Sequence, residues 1–165
     1  MVAVRKSVEE TKVALHGVVR EMYDRIVKGD PPTMTLPVRT KNNIGFDPKL
    51  GVYKYGKKQT IRDATSLGSA KQLLRALHVI EFIEAMIDDG KSSTLREMYY
   101  ISEGWGLGKF QSQNESNNLA EDLEIVTRCL REDFKLRPEE DGSRMIGNIT
   151  LRERNRKGQW MRINA

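Results

Sequence analysis

Thr94-Leu95-Arg96-Glu97-Met98-Tyr99-Tyr100-Ile101-Ser102-Glu103-Gly104-Trp105 lies between two longer amphipathic segments, and its reading decides how the chain folds. The run is opened by Ser92 or Ser93 and broken by Gly104 and Gly106, which predicts a short helix. At 3.6 residues per turn Leu95 and Tyr99 share one face, and Arg96 and Tyr100 share the next face round. One tyrosine therefore follows the apolar side, while the other projects beside a guanidinium. Attack on a phosphodiester needs such a pair. The phenol must have its developing charge stabilised, and an arginine can do so while holding the phosphate. The plain alternative is that both rings are packing aromatics.

Working outward, residues 66–89 carry Leu67, Ala70, Leu74, Leu77, Ile80, Ile83 and Ile87 at helical spacing, with Gly90 as the stop. After the tyrosine run, Ser112-Gln113-Asn114-Glu115-Ser116-Asn117-Asn118 supplies N-cap candidates for a helix with the stripe Leu119, Leu123, Val126 and Leu130. Pro138 lies beyond its end. The remainder reads as a hairpin, with a strand at 145–151, a basic turn at 152–158 and a returning strand at 160–163. Helix, short helix, helix and hairpin is the order of a winged helix. In that fold the third helix faces the major groove and the hairpin tip reaches phosphates. Upstream, residues 7–28 predict an amphipathic helix with the stripe Leu15, Val18, Val19, Met22 and Ile26, stopped by Gly29-Asp30-Pro31-Pro32. Residues 31–65, with strand-like pieces at 34–38 and 52–55, suit an arm or a short hairpin. The expected class is α+β, mainly α. A 1–64 extension would be followed by a winged-helix domain of the catabolite-activator type over 65–165.

With 28 Lys+Arg against 23 Asp+Glu in 165 residues, the chain carries +5 and a pI near 9.3. That balance favours a polyanionic partner, and the distribution says more than the total. From Arg39 to Arg75 there are nine basic residues against Asp47 and Asp63, and from Arg152 to Arg162 five against Glu153. Acid gathers at Glu81, Glu84, Asp88 and Asp89. In the arm, tyrosines alternate with lysines near Lys57, Lys58 and Arg62, which suits a sugar–phosphate backbone. Four cations at Arg152, Arg154, Arg156 and Lys157 crowd unfavourably unless an anion neutralises them. Lys109, just after the glycine-rich turn, joins these candidates for DNA contact. The single cysteine, Cys129, rules out an intrachain disulfide framework. The N-terminus lacks the apolar core of a signal peptide, and no stretch has the length of a membrane span. The expectation is a cytoplasmic, nucleoid-associated protein.

Other chemistries find little footing. His16 and His78 lie far apart without companions at ligand spacing, so a zinc site is not expected, and His78 suits packing. Gly104-Trp105-Gly106-Leu107-Gly108-Lys109 lacks the spacing of a phosphate-binding loop and no strand precedes it, which excludes an ATP site. Glu139-Glu140-Asp141 leads into Asp141-Gly142, ordinary turn chemistry. No metal site is expected in the chain.

The run Leu95-Arg96-Glu97-Met98-Tyr99-Tyr100 resembles the catalytic-tyrosine motif of the A subunit of archaeal DNA topoisomerase VI, the type IIB topoisomerase. It also resembles the related transesterase that makes meiotic double-strand breaks. Gln113-Asn114-Glu115-Ser116-Asn117, Glu121-Asp122-Leu123-Glu124, Leu136-Arg137-Pro138-Glu139-Glu140-Asp141-Gly142 and Ile146-Gly147-Asn148-Ile149-Thr150 follow in the family's order. The likeness runs from about Thr65 to the C-terminus. It implies that Tyr100 is the nucleophile and Arg96 its partner, in a winged-helix domain that cuts duplex DNA. The product would be a 5′-phosphotyrosyl link with a free 3′-hydroxyl on each strand.

In the family a Toprim domain follows, binds magnesium and supplies most of the dimer contact. No βα pattern of that kind occurs in this sequence, which stops about where such a domain would begin. The expectation is therefore the N-terminal DNA-cleavage half, excised or one piece of a split subunit. No cofactor is expected in the chain itself. Mg2+ would come from the Toprim-containing remainder, ATP from the B subunit of an assembly of two A and two B subunits, and the isolated chain would be inactive. The amphipathic helix at 7–28 is the segment expected to dock a partner. The rival reading is a non-enzymatic winged-helix DNA-binding protein or transcription regulator, which accounts for charge and element order but not for Tyr100 beside Arg96.

Overall fold

The computed structural model describes residues 5–48, 52–137, 150–154 and 160–164. Helix α1 spans Val8–Val27 and opens with a capping box, in which the Ser7 hydroxyl accepts from the Glu10 N–H and the Glu10 carboxylate accepts from the Ser7 N–H. It ends before Gly29, whose φ of +81° turns the chain toward Pro31 and Pro32. Thr11, Leu15, Val18 and Met22 are buried, whereas Ile26 is exposed. The stripe expected to dock a partner instead packs inside the chain, against α2, α4 and the first strand.

Residues 31–65 form two nested hairpins, where the sequence suggested one arm. Strand β1 (Thr33–Pro37) pairs antiparallel with β4 (Gln59–Asp63), and β2 (Ile44–Asp47) pairs with β3 (Val52–Tyr55) inside that loop. Asn43 is buried where the hairpins meet. Its amide donates to the carbonyls of Val38 and Lys58 at 2.9 Å, and its oxygen accepts from the Lys58 N–H at 3.0 Å. One side chain thereby satisfies three backbone groups that no ladder reaches.

Helix α2 spans Leu67–Asp88, capped by the Ser66 hydroxyl, with Gly90 at φ +64° beyond its end. Then come β5 (Ser93–Thr94), α3 (Leu95–Ile101), two 3-10 turns (Ser102–Gly104 and Gly106–Gly108), α4 (Gln113–Thr127) and β6 (Leu136–Arg137). Strand β5 pairs in parallel with β6. That pairing keeps Ser93 extended, so Thr94, not Ser92 or Ser93, caps α3. Helix α4 starts within the polar cluster, with Ser112 as its N-cap, and ends at Thr127, where Arg128 adopts φ +56°. Leu130, expected on the α4 stripe, thus belongs to the loop beyond.

One buried cluster gathers Leu15, Val18 and Met22 with Met34 and Leu36, Val79 and Ile83, Leu95 and Met98, Leu119 and Leu123, Phe110 and Phe134. The N-terminal 64 residues contribute to the same core as α2–α4, so packing shows no boundary at residue 64. No helix among the described residues is long and apolar enough to cross a membrane.

The C-terminal strands, β7 (Thr150–Arg154) and β8 (Trp160–Asn164), form an antiparallel hairpin. Arg152 and Arg154 therefore lie in a strand, not in the turn predicted for them. The strand expected before residue 150, the Glu139-Glu140-Asp141 cluster, and Arg156 and Lys157 lie outside the described residues.

Candidate active site

Helix α3 has only seven residues, too few to be stable alone, so its neighbours must hold it. The Thr94 hydroxyl accepts from the Glu97 N–H at 3.0 Å, and the buried Ser93 hydroxyl donates to the Glu97 carboxylate at 2.7 Å. Leu95 and Met98 anchor the inner face, and Tyr99 packs against the core beside them. Arg96 and Tyr100 stand on the outer face. Tyr100 is 55% exposed, and Arg96 Nε donates to its Oη at 3.3 Å. The guanidinium carbon also lies 5.8 Å from the Tyr100 ring centroid, within cation–π range. The two phenols thus differ in setting although their rings lie 5.5 Å apart.

The turn after α3 is tied to the same frame. The fully buried Ser102 hydroxyl donates to the Tyr99 carbonyl at 2.6 Å and accepts from the Phe110 N–H at 3.4 Å. Trp105 stacks on His78 at 5.1 Å, which gives His78 the packing role its helix suggested. Lys109 Nζ pairs with Glu103, and that bond holds the ammonium above the usual lysine range against the opposing pull of desolvation. Its carbonyl accepts from Arg75 Nε at 3.1 Å and from Nη2 at 2.6 Å.

Helix α4 carries four carboxylates and no Lys or Arg. Each carboxylate meets an arginine of this chain. Glu115 lies 3.3 Å from Arg75, Glu124 lies 2.5 Å from Arg131, and Glu121 lies 2.5 Å from Arg39. Asp122, only 3% exposed, accepts from Arg39 and, at 2.5 Å, from Arg62. The helix expected to face the major groove is therefore an acidic hub that fastens β1, β4 and α2. Arg62, a candidate DNA contact, is committed to Asp122, whereas Lys57 and Lys58 are exposed.

Sequence reasoning missed Asp122, Arg75 and Asn43. Asp122 did leave a signal: it sits three residues after Leu119 and four before Val126, an acid within an apolar stripe. Such an acid needs a cation when buried. Asn43 left none, because only the meeting of the two hairpins gives it work. Among the described residues no group of three or more His, Cys, Asp or Glu is placed to hold a metal ion. Asp122, the most buried α4 carboxylate, is already occupied by two guanidiniums, so these residues do not fit a magnesium ion.

A family model described as type IIB DNA topoisomerase matches residues 71–136, the stretch from α2 to β6. A second, the all-beta domain in DNA topoisomerase VI alpha subunit, matches residues 139–165 and contains the β7–β8 hairpin. The segment expected as a wing thus falls under a separate model from the helices. The chain is 44% identical over 152 residues to the A subunit of type 2 DNA topoisomerase 6 from Haloarcula marismortui, covering 91% of this chain and 41% of that protein. It is 47% identical over 141 residues to the Natronomonas pharaonis protein of the same name, covering 84% and 38%. For Archaeoglobus fulgidus the figures are 46% over 145 residues, covering 88% and 40%. The chain spans about two fifths of the length of these relatives. On its fold-bearing helices and on these matches alike, the chain belongs to the type IIB DNA topoisomerase A-subunit family.

Proposed function

We propose that this chain is the DNA-cleaving part of a type IIB topoisomerase A subunit, with Tyr100 as nucleophile and Arg96 as its partner. The observation that carries the reading is the bond from Arg96 Nε to the exposed Tyr100 Oη, while the adjacent Tyr99 is packed away. Tyr100 Oη attacks a backbone phosphorus, and the P–O3′ bond breaks as the Oη–P bond forms. The phenol proton passes to a base, and the 3′-oxygen leaves as a hydroxyl after taking up a proton. Arg96 cannot be the base, since a guanidinium only donates. It neutralises charge on the phosphate and fixes the angle of attack, which is most of what phosphoryl transfer asks of a protein.

Helices α2, α3 and α4 with the β5–β6 ladder suit the helical half of a winged-helix domain. Within it the acidic α4 is a brace, and α3 offers the DNA-facing surface. The register sets Arg152 opposite Arg162 in β7–β8, and paired like charges favour a polyanion nearby. Magnesium supplies charge stabilisation in this chemistry when bound, and its ligands belong to residues outside those described. The partners proposed are duplex DNA, the Toprim-containing remainder and an ATP-binding B subunit in an A2B2 assembly.

Reconstitution with these partners and trapping of protein–DNA adducts by detergent tests the reading. Tyr100→Phe should abolish the adduct with duplex affinity nearly unchanged, whereas Tyr99→Phe should keep it. The reverse pattern would transfer the role to Tyr99. The chain alone should bind DNA without cutting it. Magnesium-dependent linear DNA carrying covalently bound protein, formed by the chain alone, would refute the external metal site.

A further inference from the structure

The turn between α3 and α4 is fastened at almost every residue, yet its apex points away from all of it. Backbone bonds run from the Trp105 N–H to the Ser102 carbonyl (2.9 Å), from Gly108 to Trp105 (3.0 Å) and from Lys109 to Gly106 (3.2 Å). Gly106 takes φ +57°, and Gly108 passes so near the His78 ring that a Cβ there would lie 2.6 Å from it. Trp105 is wedged between His78 and Phe110, and Arg75 grips the Lys109 carbonyl. Leu107, between the two glycines, is 72% exposed. Tyr100 and Ile101, at the end of the adjoining helix, are exposed as well. A rigid pedestal thus holds an apolar tip in water, where its hydration is unfavourable.

We propose that Leu107 is a wedge that enters between base pairs of duplex DNA lying across α3, beside the phosphodiester addressed by Tyr100. The inference rests on the reading of Tyr100 and Arg96 as the DNA-cleaving pair. Apolar side chains, leucine among them, unstack a base step and kink the duplex when pushed into it. The mount must be stiff, because a loose loop would fold its leucine back instead of transmitting force. Charge selects DNA over an apolar protein partner: Arg96 precedes Leu107 on α3, and Lys109 follows it by two residues. Insertion brings both cations toward phosphates flanking the opened step. Pyrimidine–purine steps such as TA open most readily, so Leu107 confers a step preference without a hydrogen bond to any base.

The test uses this chain and duplexes carrying 2-aminopurine, either at a central TA step or within an A-tract. Binding should raise fluorescence strongly on the TA duplex and weakly on the A-tract. Leu107→Ala should lose the rise while keeping its thermal midpoint and its salt dependence of binding. Leu107→Met should retain the rise, and Leu107→Lys should bind both duplexes more tightly yet show none. If Leu107→Ala keeps the rise, or the wild-type chain binds without one, the wedge is overturned and the Tyr100 reading stands. If the chain binds neither duplex, both fail.

Discussion

Asp122→Ala should be among the most damaging single changes in this chain. The carboxylate is almost wholly buried and accepts from Arg39 and Arg62, which reach it from either end of the nested hairpins. Removing one partner of a buried ion pair costs about 3–5 kcal/mol, most of it for the charge left behind. The two arginine side chains are 31% and 28% exposed and can turn into water. The lower end, about 3 kcal/mol, therefore applies. In a chain of this size each kcal/mol moves the melting midpoint by about 2–4 °C, so a fall of about 6–12 °C is expected by circular dichroism. Asp122→Asn, which keeps the shape and one acceptor, should lose about half as much. A double-mutant cycle with Arg62→Ala should show coupling of about 1–2 kcal/mol. Because Arg62 is spent on this bond, Arg62→Ala should leave the salt dependence of DNA binding unchanged. Either a midpoint drop below about 2 °C for Asp122→Ala, or a salt slope that falls by about 0.9 in Arg62→Ala, would refute the brace.

Gly108→Ala should destabilise by about 1–3 kcal/mol, since the new methyl meets an imidazole that Trp105 holds in place, and calorimetry reads this directly. Replacing Arg152, Arg154, Arg156 and Lys157 together by Gln should flatten the slope of log affinity against log salt by about 0.9 for each phosphate no longer neutralised. An unchanged slope would make them a solvated hairpin. The Ser7 N–H, and next the Ser7 hydroxyl, hold the Glu10 carboxyl below its ordinary value. A lowered folded-state value means that its contribution is complete above the ordinary glutamate range and fades as pH falls through the folded value. Melting midpoints of Glu10→Gln should therefore converge on those of the parent chain in acid and lie below them near neutral pH.

The tyrosine helix was legible because two local rules coincide there. Helical spacing puts Leu95 and Tyr99 on one side and Arg96 and Tyr100 on the other, and the glycines that follow limit its length. The N-cap was misjudged by one or two residues because Ser93 is drawn into a parallel pairing with Leu136, some forty residues distant, which no local pattern reports. The apolar stripe of α1 was read correctly as a stripe. What it covers depends on α2, α4 and β1 closing over it. A hydrophobic face specifies that it must be buried, not by what.

By itself the sequence determined the helices, the face on which Tyr100 stands beside Arg96, and the basic balance of the chain. Each is a matter of periodicity, turn residues or composition, which act over a few neighbours. Only the tertiary structure decided which charges are free for a partner. Of the basic residues that look alike along 39–75, Arg39, Arg62 and Arg75 are drawn inward by the carboxylates of α4, while Lys57 and Lys58 remain on the surface. The physical reason is that Coulombic pairing depends on distance in space and on burial, and helix α4 lies some forty to eighty residues along the chain from the arginines it neutralises.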